Sequence, residues 1–221
     1  MCYYIPKIVM VIEFFGTQGS GKTTIARELS KRLGIEYIET TGGFQKYKYL
    51  FVYIVKSPIS FLLLFFKTIK EGGGSIILTR HKLFLLASYV VRASKAKTRG
   101  KKRDVILDEG FVQYGLSLHE KKISNPKARS YLKRFLLSDF VIYIDSDLDT
   151  RMVRMRDRKR IPRKNLPIDH DKWLARFSEN ALLFFNIINS DSFNIKIKSL
   201  NTTGKSADSC VGEVEGFLKE K

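Results

Sequence analysis

Residues 16–24 read Gly-Thr-Gln-Gly-Ser-Gly-Lys-Thr-Thr. Gly16, Gly21, Lys22 and Thr23 fill the spacing G-x-x-x-x-G-K-[ST], with a third glycine, Gly19, between them. Glycine reaches positive φ at no steric cost, so a loop built on these three can turn its N–H groups inward around a polyphosphate. Lys22 then supplies charge at the β- and γ-phosphates, and the Thr23 hydroxyl is a ligand for Mg²⁺. The predicted nucleotide contacts are Gly16, Thr17, Gln18, Gly19, Ser20, Gly21, Lys22, Thr23 and Thr24.

Two further groups of residues carry chemistry. The run "DVILDEG" ends in Asp108 and Glu109 at the close of an apolar stretch. In an open α/β sheet, ligands collect at the carboxyl ends of the strands. Asp108 is placed there to hold the water shell of Mg²⁺, and Glu109 to orient or deprotonate an attacking hydroxyl. An acceptor that is itself a phosphate would need no base, and Glu109 would then only bind or position it. The run "RMVRMRDRKR" holds Arg151, Arg154, Arg156, Arg158 and Arg160 within ten residues. Arg151, Arg154 and Arg158 share one helical face by the i, i+3, i+7 rule. Guanidinium groups can contact two oxygens of a transferring phosphoryl group at once, and a lid that carries them excludes water. The reading assigns catalysis to Lys22, Glu109, Arg154 and Arg158. Contact between nucleic acid and the same arginines is the competing reading.

Strands and helices in alternation must position these groups. Lys7–Phe15 is a near-continuous Ile- and Val-rich run, as expected of a strand buried on both faces of a parallel sheet. Ala26–Leu33 reads as a helix stopped by Gly34. Short strands are predicted at 35–40, up to Asp108, at 140–145 and at 193–200, with helices at 81–96, over "SYLKRFLLSD", at 173–189 and at 207–219. The pattern predicts a three-layer α/β fold with a mostly five-stranded parallel sheet. It covers residues 1–221 as a single domain, with a helical acceptor-binding region at 44–97 and a lid at 151–168.

Composition sets the outer bounds. At 221 residues the chain has room for one domain with a full core. Cys2 and Cys210 form no metal-ligand spacing; with a loop that needs ATP or GTP they point to a reducing, cytoplasmic compartment. The net charge of +18 favours anionic partners such as nucleotides, nucleic acid, acidic lipid or phosphorylated sugars. Phe51–Phe66 is strongly apolar, but Lys56 and Pro58 interrupt it before it reaches the length of a membrane span. It reads as two helices that cover the sheet edge and wall an acceptor pocket. The alternative is a lipid-contacting surface flanked by Lys46, Lys48, Lys67 and Lys70. No basic leader with a cleavage site opens the sequence.

With these elements placed, the chain resembles a P-loop kinase of the nucleoside-monophosphate-kinase group, nearest to thymidylate kinase. The residues that carry the likeness are "FFGTQGSGKTT", "LLASYVVR" ending at Arg92, "DEGF", the run from Asp145 through Arg154 and Arg158, and the closing "IKSLNTTGKS". The resemblance implies that Arg92 joins Glu109 at the acceptor and that the closing segment, with Asn201, packs against adenine. Where the thymidylate kinases have Asp-Arg, this chain has Asp108-Glu109. A carboxylate beside a phosphate acceptor repels it, whereas a hydroxyl acceptor needs one.

The expectation is an ATP- and Mg²⁺-dependent kinase that transfers the γ-phosphoryl group to a small molecule: a nucleotide, a nucleoside, or a hydroxyl-bearing sugar or lipid-linked metabolite. Two other classes stay open. One is a nucleic-acid enzyme such as a kinase of polynucleotide ends, prompted by the charge. The other is a regulatory NTPase, against which stands the lack of an "NKxD" string. Nucleic acid, a membrane surface and a second copy of the chain all stay open as partners.

Overall fold

A computed structural model describes residues 10–39, 44–100, 103–136, 138–158, 166, 168–190, 193 and 195–220. The chain runs β1 (Val11–Gly16), α1 (Lys22–Leu33), β2 (Glu36–Tyr37), α2 (Phe44–Lys56), α3 (Pro58–Glu71), α4 (Ile76–Arg99) and β3 (Val105–Leu107). It continues with α5 (Phe111–Leu118), α6 (Asn125–Phe135), β4 (Phe140–Asp145), α7 (Leu148–Asp157), α8 (His170–Ser190), β5 (Lys196–Asn201) and α9 (Ala207–Lys219).

The sheet is five-stranded and parallel, in the order β2-β3-β1-β4-β5. β1 lies at its centre and is buried on both sides, which explains its unbroken apolar sequence. Successive side chains on a strand point to opposite faces. Ile12 and Phe14 therefore pack with Ile25 and Leu29 of α1 and Val211 and Val214 of α9. Phe15 packs on the other face with Tyr89 of α4, Tyr114 of α5, Tyr131 of α6 and Phe184 of α8. Two helical layers on one sheet give the three-layer fold expected from the sequence.

Register places the chemistry. Gly16 at the end of β1 lies opposite Ile144, and Asp145 at the end of β4 lies opposite Asn201. The carboxyl ends of β1, β3 and β4 thus open on one edge, with Gly16, Asp108 and Asp145 along it.

Several boundaries differ from those expected. Of the first strand, residues 7–9 lie outside the described residues; β1 itself extends to Gly16. β2 is two residues long and β3 three, paired at Glu36 with Val105 and at Tyr37 with Ile106. The long apolar stretch divides at Ser57: Pro58 starts α3, and the two helices meet at 109°. A proline has no N–H to continue the preceding helix and is tolerated in a first turn. α4 starts at Ile76, earlier than the predicted His81, because the Ser75 hydroxyl accepts from Leu78 N at 3.3 Å and caps it.

α5 was not foreseen. All eight of its residues are buried, so it shows no amphipathic period. Gly115 sits inside it because a Cβ there would lie 2.5 Å from the Tyr131 ring. Its start is held by Glu13, a carboxylate in the middle of β1 that is 1% exposed. Glu13 Oε1 accepts from Val112 N at 2.8 Å and Oε2 from the Ser138 hydroxyl at 2.9 Å. Burial pushes the Glu13 carboxyl up to about 7, against the pull of these hydrogen bonds. The neighbouring Gly110 leaves room for it, since a Cβ there would come within 2.4 Å of that carboxyl carbon.

Candidate active site

The loop between β1 and α1 takes the conformation its glycines allow. Gly16, Gly19 and Gly21 have φ of 142°, 78° and 93°. A Cβ on Gly16 would lie 1.9 Å from the Ile144 carbonyl oxygen, and one on Gly19 would lie 2.8 Å from that of Arg151. Both positions therefore require glycine twice over, by φ and by close approach. Gly21 caps α1, whose first turn carries no acidic residue, so its N–H groups and dipole face the loop uncompensated.

Side chains from distant elements hold this loop. Gly16 N donates to Gln113 Oε1 of α5 at 3.0 Å. The Thr17 hydroxyl donates to Asp145 at 2.9 Å, and the Ser20 hydroxyl donates to the Thr17 carbonyl at 2.8 Å. Lys22 folds back over the loop and donates to the Gly16 and Thr17 carbonyls at 3.0 and 2.6 Å. Its ammonium is buried, and that desolvation lowers its pKa to about 8 even with Glu109 and Asp108 nearby.

Thr23 and Asp108 meet as predicted: the Thr23 hydroxyl donates to Asp108 Oδ2 at 2.8 Å. A hydroxyl and a carboxylate side by side at the foot of a phosphate loop form a hard oxygen donor pair, which suits Mg²⁺. Tyr37 of β2 bonds the same aspartate; burial, then Asp108, pushes its phenol up. Glu109 does not point into solvent alone. It forms an ion pair with Arg92 of α4, whose side chain is 15% exposed, so both predicted acceptor residues come together.

One cavity of about 350 Å³ gathers the predicted groups. Gln18, Gly19, Gly21, Lys22 and Thr23 form its phosphate end, and Glu109, Arg154 and Arg158 its sides. Its far wall holds His81, Leu85 and Tyr89 of α4, Ser117 of α5 and Trp173 of α8; Leu85 and Tyr89 belong to the run "LLASYVVR", while His81, Ser117 and Trp173 carried no motif in the sequence. The expected pocket-walling role therefore falls to α4, while α2 and α3 contribute no lining residue to this cavity.

The arginine stripe is only partly spent as expected. Arg151 is buried and donates to the Ser178 hydroxyl at 3.0 Å, tying α7 to α8. Arg154 donates to Thr202 Oγ1 at 2.9 Å, to the Thr202 carbonyl at 3.1 Å and to the Ser20 carbonyl at 3.4 Å. Arg158, at the end of α7, donates to the Thr24 hydroxyl at 3.2 Å. Residues 159–165 and 167 of the predicted lid, with Arg160, lie outside the described residues.

A second cavity, of about 210 Å³, lies on the outer side of the loop. Ser20, Gly21 and Thr24 line it together with Arg154, Arg158, Thr202 and Lys205. Asn201 does not enter it: its side chain is turned to the surface and accepts from Thr203 N at 2.9 Å. The residue that takes that place is Thr202, whose hydroxyl donates to the Ser20 carbonyl at 2.9 Å. The closing segment thus reaches the cavity through Thr202, which follows the last residue of β5, and not through Asn201.

No protein-family model and no curated protein matches the sequence. Solved structures do. Deoxyadenosine kinase from M. mycoides, with products dCMP and dCDP bound, superposes with a TM-score of 0.58 at 20% identity, covering 96% of this chain and 100% of that one. The same enzyme with bound dATP gives a TM-score of 0.55 at 20% identity over 95% and 99% of the two chains. Shikimate kinase from Acinetobacter baumannii in complex with shikimate gives 0.50 at 18% identity over 96% and 94%. The chain has the α/β fold of these P-loop kinases, with five parallel strands flanked by helices.

Proposed function

We propose that the protein is an ATP- and Mg²⁺-dependent kinase that transfers the γ-phosphoryl group to a hydroxyl of a small acceptor. The observation that carries this is one cavity in which Glu109, paired with Arg92, lies across from Lys22 and Thr23. The loop N–H groups and Lys22 hold the polyphosphate, and the second cavity, edged by Arg154 and Thr202, takes the base. Thr23 and Asp108 hold Mg²⁺, which when bound offsets charge on the phosphates. The acceptor sits against Tyr89, His81, Ser117 and Trp173. Glu109 takes the proton from its hydroxyl as the new O–P bond forms and the bond to the nucleoside diphosphate breaks. Arg158, which lines the same cavity, offsets charge on the transferring group.

Two fold relatives support a hydroxyl acceptor, since deoxyadenosine and shikimate, the compounds in their names, both carry hydroxyls. So does the replacement of the thymidylate-kinase arginine by Glu109. The test is a screen with γ-labelled ATP across nucleosides, nucleotides, sugars, lipids and oligonucleotides. Label transfer to a hydroxyl compound, little affected by salt, is the expected result. Transfer only to oligonucleotides, with steep salt dependence, would replace this reading with the nucleic-acid one.

A further inference from the structure

Among the described residues, twelve of the fifteen exposed large apolar side chains lie between Phe44 and Phe84. They form stripes rather than scatter. Phe44, Tyr47, Phe51 and Val55 follow one face of α2, and Ile59, Leu62, Leu63, Phe66 and Ile69 follow one face of α3. Ile76, Ile77 and Phe84 do the same on the first half of α4. A helix of a water-facing domain turns its apolar stripe inward. These three do that on one face and then expose a second apolar stripe on another.

The charge around the stripes has one sign. Setting aside Lys82, which is buried, six lysines and arginines from Phe44 to Phe84 stand against Glu71 alone. Lys48, Lys56, Lys70 and Arg80 are exposed among the apolar residues, and Lys46 lies 4.9 Å from the centre of the Phe84 ring. A second copy of the chain docked on this face by a twofold axis would oppose these cations to themselves with almost no acid to pair them. An anionic bilayer supplies both needs, a negative surface for the lysines and an acyl boundary for the phenylalanines. No single described helix is long and apolar enough to cross a membrane; α2 and α3 reach that length and composition only together, and a 109° bend breaks the pair, so helices lying on the bilayer suit this face.

We infer that α2, α3 and the start of α4 form a docking surface for the face of an anionic phospholipid bilayer. α4 then serves two sites at once, with Ile76, Ile77 and Phe84 on the bilayer side and His81, Leu85 and Tyr89 on an adjoining face in the acceptor cavity. The surface stands on exposure and charge, independently of the proposed kinase reaction.

The test is co-sedimentation of the full chain with vesicles of phosphatidylcholine alone and of phosphatidylcholine mixed with phosphatidylserine. Binding to the mixed vesicles and not to the neutral ones is expected. Lys48→Gln with Lys70→Gln should weaken it about fivefold per lysine. Phe51→Ser with Phe66→Ser should abolish it while the circular dichroism spectrum stays that of wild type. The lysine pair, fully on the surface, decides the matter should the phenylalanine pair misfold. The inference is overturned if wild type ignores anionic vesicles, or if binding survives the phenylalanine pair in a folded protein. It is equally overturned if wild type is a dimer that ignores vesicles and that Phe51→Ser with Phe66→Ser splits into monomers, since a second copy then covers the face.

Discussion

Arg92 and Glu109 are joined by an ion pair between α4 and the residue that follows Asp108 at the sheet edge. The pair does two things. It fixes the direction of a carboxylate that would otherwise swing on three rotatable bonds. It also disposes of a buried cation: the Arg92 side chain is only 15% exposed, and its other neighbour is the Tyr89 ring, 5.9 Å away. A pre-aimed anion in a cavity shared with Lys22 is what abstraction of a hydroxyl proton requires.

Lys22→Ala should abolish transfer without unfolding the protein. Among the described residues the lysine bonds to the loop carbonyls of Gly16 and Thr17, and its removal relieves a buried charge. Burial sets its pKa near 8 in the free protein, so ATP affinity should fall as pH rises through about 8, where the ammonium loses its proton. The variant should show no such pH dependence. Equilibrium ATP binding across that range, together with turnover of the folded variant, checks both outcomes.

Arg154→Ala should cost more than Arg158→Ala. Arg154 joins the loop at Ser20 to Thr202, so its loss should disturb the nucleotide site and lower kcat/KM for ATP by ~10²-fold or more. Arg158 has one 3.2 Å bond to Thr24 and is exposed, so a drop in kcat of roughly tenfold is expected with KM for ATP little changed. Unchanged kinetics with weakened oligonucleotide binding would assign both arginines to nucleic acid.

The parts of the site that were legible in the sequence are those that act in one contiguous run. Gly16 to Thr24 could be read directly because a phosphate loop needs its donors on consecutive residues. Asp108 and Glu109 were found because an acidic pair closing an apolar run marks a strand end. The residues that hold the loop were hidden by distance along the chain: Gln113 is 97 positions from Gly16, and Thr202 is 182 from Ser20. A single sequence has no signal for such pairs. The far wall of the cavity was hidden differently, since His81, Ser117 and Trp173 belong to no motif and take meaning only from where α4, α5 and α8 lie. The apolar stretch broken at Lys56 and Pro58 gave α2 and α3 as helices, but an apolar run does not tell which of two apolar faces turns inward.

Glu13→Gln should change how stability depends on pH. The Glu13 carboxyl sits at about 7 in the folded chain against an ordinary 4.5, because burial disfavours its charge. Between those values the folded state binds more protons than the unfolded, so wild-type stability should fall as pH rises from 4.5 to about 7 and stay low above it. The loss is on the order of 3 kcal/mol. Glutamine cannot ionise and keeps an oxygen for Val112 N, so this contribution should vanish and the variant should gain on wild type at neutral pH. Denaturant midpoints at both ends of the window measure it. Identical slopes for the two proteins would mean that Glu13 does not titrate there.

Glu109→Gln separates the two kinds of acceptor. If the acceptor is a hydroxyl, its proton must go to Glu109, and glutamine keeps the shape while removing the basicity. General-base catalysis contributes ~10²–10⁴-fold, so kcat should drop within that range. KM for ATP should barely move, because the loop and Lys22 hold the phosphates without Glu109. The substitution also leaves Arg92 without its anion, which should raise KM for the acceptor rather than for ATP. If the acceptor is already a phosphate, there is no proton to take at neutral pH. The same change then removes a negative charge facing a negative ligand, and it frees Arg92 to bind that ligand. In that case kcat stays near wild type and acceptor KM falls. The two acceptors thus move acceptor KM in opposite directions, which a loosened site could not mimic in both. Steady-state kinetics on the acceptor from the labelled-ATP screen decide: a kcat within about a factor of two of wild type would remove Glu109 from the role of base.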